Sequence, residues 1–130
     1  MANTIIPGYE MVLGTKKLVV FEHFGPTSYT QFVAGGANND VINASDLGEG
    51  GFDYIDGDMS DATGQLYAFI VPGNGAAANV ANANAVSQAT VIWYSRVTAT
   101  VGGQAQTAGN QVVAATNLSL IGIRLRAFCV

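Results

Sequence analysis

TVIWYSRVTATV, residues 90–101, is the stretch on which the reading of the fold turns. Successive side chains of a strand point to opposite sides. Val91, Trp93, Val97, Ala99 and Val101 therefore share one face, and Ile92, Tyr94, Arg96, Thr98 and Thr100 share the other. The first face is the more apolar, so Trp93 is expected to be buried. LIGIRLRAFCV, residues 120–130, alternates in the same way: Ile121, Ile123, Leu125, Ala127 and Cys129 point one way, and Arg124, Arg126 and Phe128 the other. Outward from these two, KLVVFEHF (17–24) is a β-branched and aromatic run closed by Gly25-Pro26. Proline cannot donate to a strand ladder, which is why the run ends there. QLYAFIV (65–71) is almost wholly apolar and predicts a strand buried on both faces. Shorter strands are expected at 31–33, 41–42 and 52–55, and a strand or a short helical turn at 111–115. Turn chemistry lies at Asp46-Leu47-Gly48, Pro72-Gly73-Asn74-Gly75 and Gly102-Gly103.

Seven or eight short strands at these intervals predict an all-β chain, a single-domain β-sandwich or jelly-roll-like barrel over residues 1–130 with long Gly/Ala/Asn-rich loops. Residues 1–15 read as an extended N-terminal arm. Residues 76–89 (AAANVANANAVSQA) read as a surface loop, since Val80 and Val86 are the only apolar side chains there larger than alanine.

Charged residues make up 11% of the chain, against about 25% in ordinary soluble domains. A surface so poor in charge is suited to being covered, which points to life in an assembly. Five Lys and Arg residues and a net charge of −4 cannot build a nucleic-acid-binding patch, so no direct nucleic-acid contact is expected. No stretch has the length and apolarity of a membrane span, and no secretory leader is visible at Met1 to Pro7. The single cysteine, Cys129, excludes an internal disulfide and reads as a small buried hydrophobe.

Little in the sequence suggests catalysis. His23 is the only histidine, Glu22 beside it points to the opposite face, and there is no Gly-x-Ser-x-Gly elbow. His23 reads as structural and the chain as no enzyme, without cofactor or metal. Asp53, Asp56, Asp58 and Asp61 could supply oxygens to Ca²⁺, but their spacing does not fit an EF-hand loop and reads as solvated turns.

Gly25-Pro26-Thr27-Ser28-Tyr29-Thr30 followed by Gly35-Gly36, then Ala44-Ser45-Asp46-Leu47-Gly48 with Phe52-Asp53-Tyr54-Ile55, and finally Ile123-Arg124-Leu125-Arg126-Ala127-Phe128 occur in an order that resembles small virion structural proteins of tailed phages. The resemblance implies a role in the particle and does not separate a capsid cement protein from a tail or neck component. The first reading is a capsid decoration or minor capsid protein, made in the host cytoplasm and carried on the capsid surface of the virion, with the major capsid protein and its own copies for partners, a homotrimer fitting the three-fold axes of a shell. The alternatives are a tail, neck or head-completion component, or a carbohydrate-binding β-sandwich displayed on the particle through an aromatic such as Trp93 or Tyr94. Candidate subunit contacts are Tyr29, read as a half-buried anchor with its hydroxyl outside, Asp56 and Asp58, Val80 and Val86, and the pair Arg124 and Arg126. Those two arginines read either as bidentate partners of a neighbour's carboxylates or as the solvated face of an edge strand.

Overall fold

A computed structural model describes residues 2–33, 40–73 and 87–130. They form an all-β, two-sheet sandwich. The first sheet carries β1 (Ala2–Leu13), β2 (Lys16–Phe24), β9 (Gly122–Cys129) and β4 (Phe52–Asp58) in the order β1-β2-β9-β4. The second carries β3 (Asp40–Asn43), β6 (Gln88–Ser95) and β5 (Leu66–Pro72) in the order β3-β6-β5. Pairing within both is antiparallel. A 3-10 turn (Ala44–Leu47) follows β3, and a small hairpin of β7 (Thr100–Val101) and β8 (Gln104–Ala105) follows β6. Its two turn residues, Gly102 and Gly103, both have positive φ (60° and 81°), the backbone that a two-residue hairpin turn with native twist demands.

The alternation read from the sequence explains why the sheets face each other. Val19 and Phe21 of β2, Ile123, Leu125 and Ala127 of β9 and Phe52 of β4 meet Ile42, Leu66, Ala68, Val91 and Trp93 of the second sheet in one core. Trp93 and Cys129 are fully buried, as their faces predicted. Each large side chain so buried contributes about 1.5–3 kcal/mol. On one side the sandwich has a corner. Beyond β4 the chain bends away from β9 and pairs with β5: Ala68 N–H donates to Met59 O (2.8 Å) and Asp61 N–H to Leu66 O (3.1 Å). Strands that change sheets through such bends are how corners are made.

Several expectations are corrected. The strand expected over 90–101 starts earlier, at Gln88, and stops at Ser95. There Ser95 Oγ donates to Val97 O (2.7 Å) and accepts from Val97 N–H (3.2 Å), a local bond that competes with the ladder. β5 is not buried on both faces, since Phe69 is 52% exposed. Nothing in the described chain covers the outside of the second sheet there as helices would. Residues 31–33 form no strand, and of 111–115 only Gln111 bridges, to Tyr94. Residues 2–13 are no free arm. They pair with β2 because Ile5, opposite Phe21, has a core to pack against. The last strand is no edge, for β9 lies between β2 and β4. Gly122 in β9 sits under the Phe24 ring, which a Cβ there would approach to 2.8 Å.

One polar line crosses the core. His23 Nδ1 lies 2.6 Å from Asn3 Oδ1, and His23 Nε2 lies 3.0 and 3.1 Å from the two carboxylate oxygens of Asp40. Trp93 Nε1–H donates to Asp40 Oδ2 (2.7 Å). Asn3 Nδ2 donates to Asp46 (3.1 Å), which turns the amide oxygen toward the imidazole. His23 and Asp40 are closed to solvent, so a lost partner cannot be replaced by bulk water. Asp40→Ala is expected to cost at least about 3 kcal/mol of stability, read as a fall in denaturant midpoint. His23→Ala should cost a similar amount, and the double variant less than the sum of the two. A loss below about 1 kcal/mol for Asp40→Ala would show that the line carries no load.

Candidate interaction faces

With inward positions spent on the core, the outward positions of the two sheets are where a partner can touch. On the second sheet, Tyr67 and Phe69 of β5 and Tyr94 of β6 form one cluster. Tyr67 and Tyr94 are cross-strand partners stacked at 5.5 Å, and Phe69 stands edge-on to both, at 5.8 and 5.3 Å. The Arg96 guanidinium lies 4.9 Å from the Tyr67 ring centre and donates to Ser60 Oγ (2.7 Å). Strand pairing holds these rings rigidly, so a partner binding them orders little that is loose. Of this group the sequence reading named only Tyr94 as an exposed candidate. The signal lay in period two within LYAFIVP: Tyr67, Phe69 and Val71 alternate with the buried Leu66 and Ala68 and the partly buried Ile70.

The outer face of the first sheet is built in rows set by register. Met11, Leu18, Phe128 and Tyr54 lie side by side across β1, β2, β9 and β4. The Tyr54 and Phe128 rings are 6.2 Å apart, and Met11 and Tyr54 are more than half exposed. The next row holds Val20, Arg126 and Asp56, and the one after it, by register, Thr4, Glu22, Arg124 and Asp58. Arg126 grips Asp56 with two bonds, Nε to Oδ1 at 2.6 Å and Nη2 to Oδ2 at 3.2 Å. Arg124 Nη2 donates to Glu22 (3.1 Å). The hydrogen bond from Arg126 holds the Asp56 carboxyl below its usual range.

The expected contacts fare unequally. Arg124, Arg126 and Asp56 come together on this outer face, but each is already paired within the chain. Tyr29 is not half-exposed. It is 2% accessible, its hydroxyl donates to Gln111 Oε1 (3.0 Å) and accepts from Trp93 N–H (3.3 Å), and burial pushes its pKa up to about 12. Asn110 and Val112 bond to β6 and bring Gln111 to the hydroxyl, a long-range pairing that local spacing does not encode. Val80, Val86 and the side chain of Asp58 lie outside the described residues, as does most of the 76–89 stretch.

The acidic run disperses. Asp53 pairs with Lys16 and Asp56 with Arg126, while Asp61 is buried and accepts from Leu66 N–H (3.0 Å) and Thr63 Oγ (2.6 Å). Among the described residues no three His, Cys, Asp or Glu side chains gather as a metal would require. Cys129 is buried, and desolvation raises its thiol pKa to about 11. Comparison with known protein families, with curated proteins and with solved structures finds no match to this chain.

Two solution tests follow from these geometries. Cys129 should resist a thiol reagent at pH 8 in the native protein and react once it is unfolded; fast native labelling would contradict its burial. The Asp56–Arg126 pair stabilises the charged carboxylate. Its contribution is therefore present above about pH 4, the unfolded value, and is lost as pH falls through the lowered folded value. The stability gap between wild type and Asp56→Asn should close on acidification, and a gap independent of pH would contradict the pairing.

Proposed function

We propose that this chain is a non-catalytic structural protein of a tailed-phage particle, a decoration protein that binds the outer capsid shell and ties neighbouring capsomers together. The observation that carries this reading is the aromatic cluster of Tyr67, Phe69 and Tyr94, with Arg96 over one ring, on the outward face of a rigid sheet. Tyrosine, phenylalanine and arginine are the residues that concentrate in protein-binding surfaces. The low charge of the chain supports burial of that face in an assembly, and the resemblance in its turn and terminal-strand motifs supports a phage particle.

The function is mechanical. Each copy contributes a modest contact, and repetition over a symmetric shell multiplies it, since a bound copy that bridges two subunits holds the second at high effective concentration. A sugar-binding role fits less well. Trp93 is buried, and Tyr67 and Tyr94 stack on each other, which takes up ring faces that a sugar would need. What the cluster offers is the half-exposed Phe69 and ring edges, better suited to side chains of a protein partner.

Phe69→Asp should fold as wild type, because the side chain is half exposed, and should lose most of its binding to particles stripped of the protein, measured by co-sedimentation. Full binding by a folded Phe69→Asp variant would remove this face from the contact.

A further inference from the structure

We infer that the outer face of the first sheet is a self-complementary surface that pairs with the same face of a second copy about a two-fold axis. The axis runs parallel to the strands, midway between β2 and β9. A two-fold contact requires that each residue meet a complementary one when the surface is turned onto itself. This operation exchanges β2 with β9 and β1 with β4 while keeping each row in place. In the apolar row it lays Leu18 on Phe128 of the second copy and Met11 on Tyr54. In the charged row it lays Glu22 over Arg124 and sets the position of Thr4 against that of Asp58. In the row between, Val20 falls under Arg126, whose aliphatic stem can cover it while the guanidinium stays on Asp56. Asp56 stays on Arg126 of its own chain, opposite the irregular part of β1, and Leu18, Phe128, Met11, Tyr54, Val20, Glu22 and Arg124 each meet a complementary residue.

The other natural axis, across the strands between the two charged rows, fails this test, because it sets Arg126 against Arg124. The charge arrangement therefore selects both the occupant and the symmetry. This axis leaves the mean strand directions of the two sheets parallel, within the roughly 30° range of aligned sheet packing.

The contact is small. Four strands spaced about 4.8 Å apart and three rows along them give a flat footprint of about 400 Å² per copy. That falls in the class of weak, transient contacts, below the roughly 1,200 Å² total of stable ones. Free protein should therefore be monomeric when dilute and pair only at high concentration, such as the local concentration on a crowded surface. The pairing needs no particle, so its test is separate from that of the proposed function.

Sedimentation velocity of the wild-type chain from the micromolar into the millimolar range should show a monomer passing to a dimer. Glu22→Arg and Arg124→Glu each set like charges against each other across the two copies and should remain monomeric over the same range. A wild-type far-UV circular dichroism spectrum and a cooperative unfolding transition are the check on fold, since each also loses the Arg124–Glu22 pair within the chain. Mixed in equal amounts, the two variants present two positive groups to two negative ones and should form a heterodimer. Wild-type protein that stays monomeric throughout, a trimer in place of a dimer, single variants that associate like wild type, or a mixture that does not pair would each overturn the inference.

Discussion

The two sheets are held in one alignment by the polar line from Asn3 and His23 in the first sheet to Asp40 and Trp93 in the second. Apolar packing alone tolerates sliding, because it is non-directional. Hydrogen bonds between buried groups do not, since a shift of an ångström or two leaves donors and acceptors without partners in a place water cannot reach. Trp93 serves both purposes: its ring fills the centre of the core and its N–H is tied to Asp40. The Asp46 bond to Asn3 extends the line to the turn after β3, so β1 is fastened at its start as well as along its ladder.

Fixing the inner faces fixes the outer ones. Because the side-chain period of a strand is two, a one-residue slip would send every outward residue into the core. The same register that buries Val19, Phe21, Leu125 and Ala127 brings Leu18, Phe128 and Tyr54 into one row and joins Arg126 to Asp56. The two outward faces differ in character. The second sheet offers an aromatic cluster with one cation, and the first an apolar row beside balanced ion pairs. Two distinct faces on one small rigid body suit a protein that meets both a shell and its own neighbours.

The all-β class was legible because alternation in 90–101 and 120–130 is strong, because 17–24 is a β-branched and aromatic run, and because Gly and Pro punctuate them. The burial of Trp93 and Cys129 was legible for the same reason. The break at Ser95 was not, since a serine hydroxyl that bonds two residues ahead leaves the alternation of 90–101 intact. The place of Tyr29 was hidden too. Its hydroxyl is satisfied by Gln111, 82 residues away, and no local pattern reports such a partner. Arg124 and Arg126 were rightly placed on one outer face, but their partners Glu22 and Asp56 depend on strand order, which the sequence alone left open. The exposed face of β5 was hidden because six apolar residues in a row, Leu66 to Val71, mask whether one face is covered.

The account rests on this chain being a stoichiometric part of a particle. Quantitative mass spectrometry of purified phage particles, giving copies of this chain per copy of the major coat protein, tests that most directly. The account predicts a ratio of one or a simple fraction of it, as repeated sites on a shell lattice require. Absence of the chain from the particle, or a ratio of a few copies per shell, would contradict it.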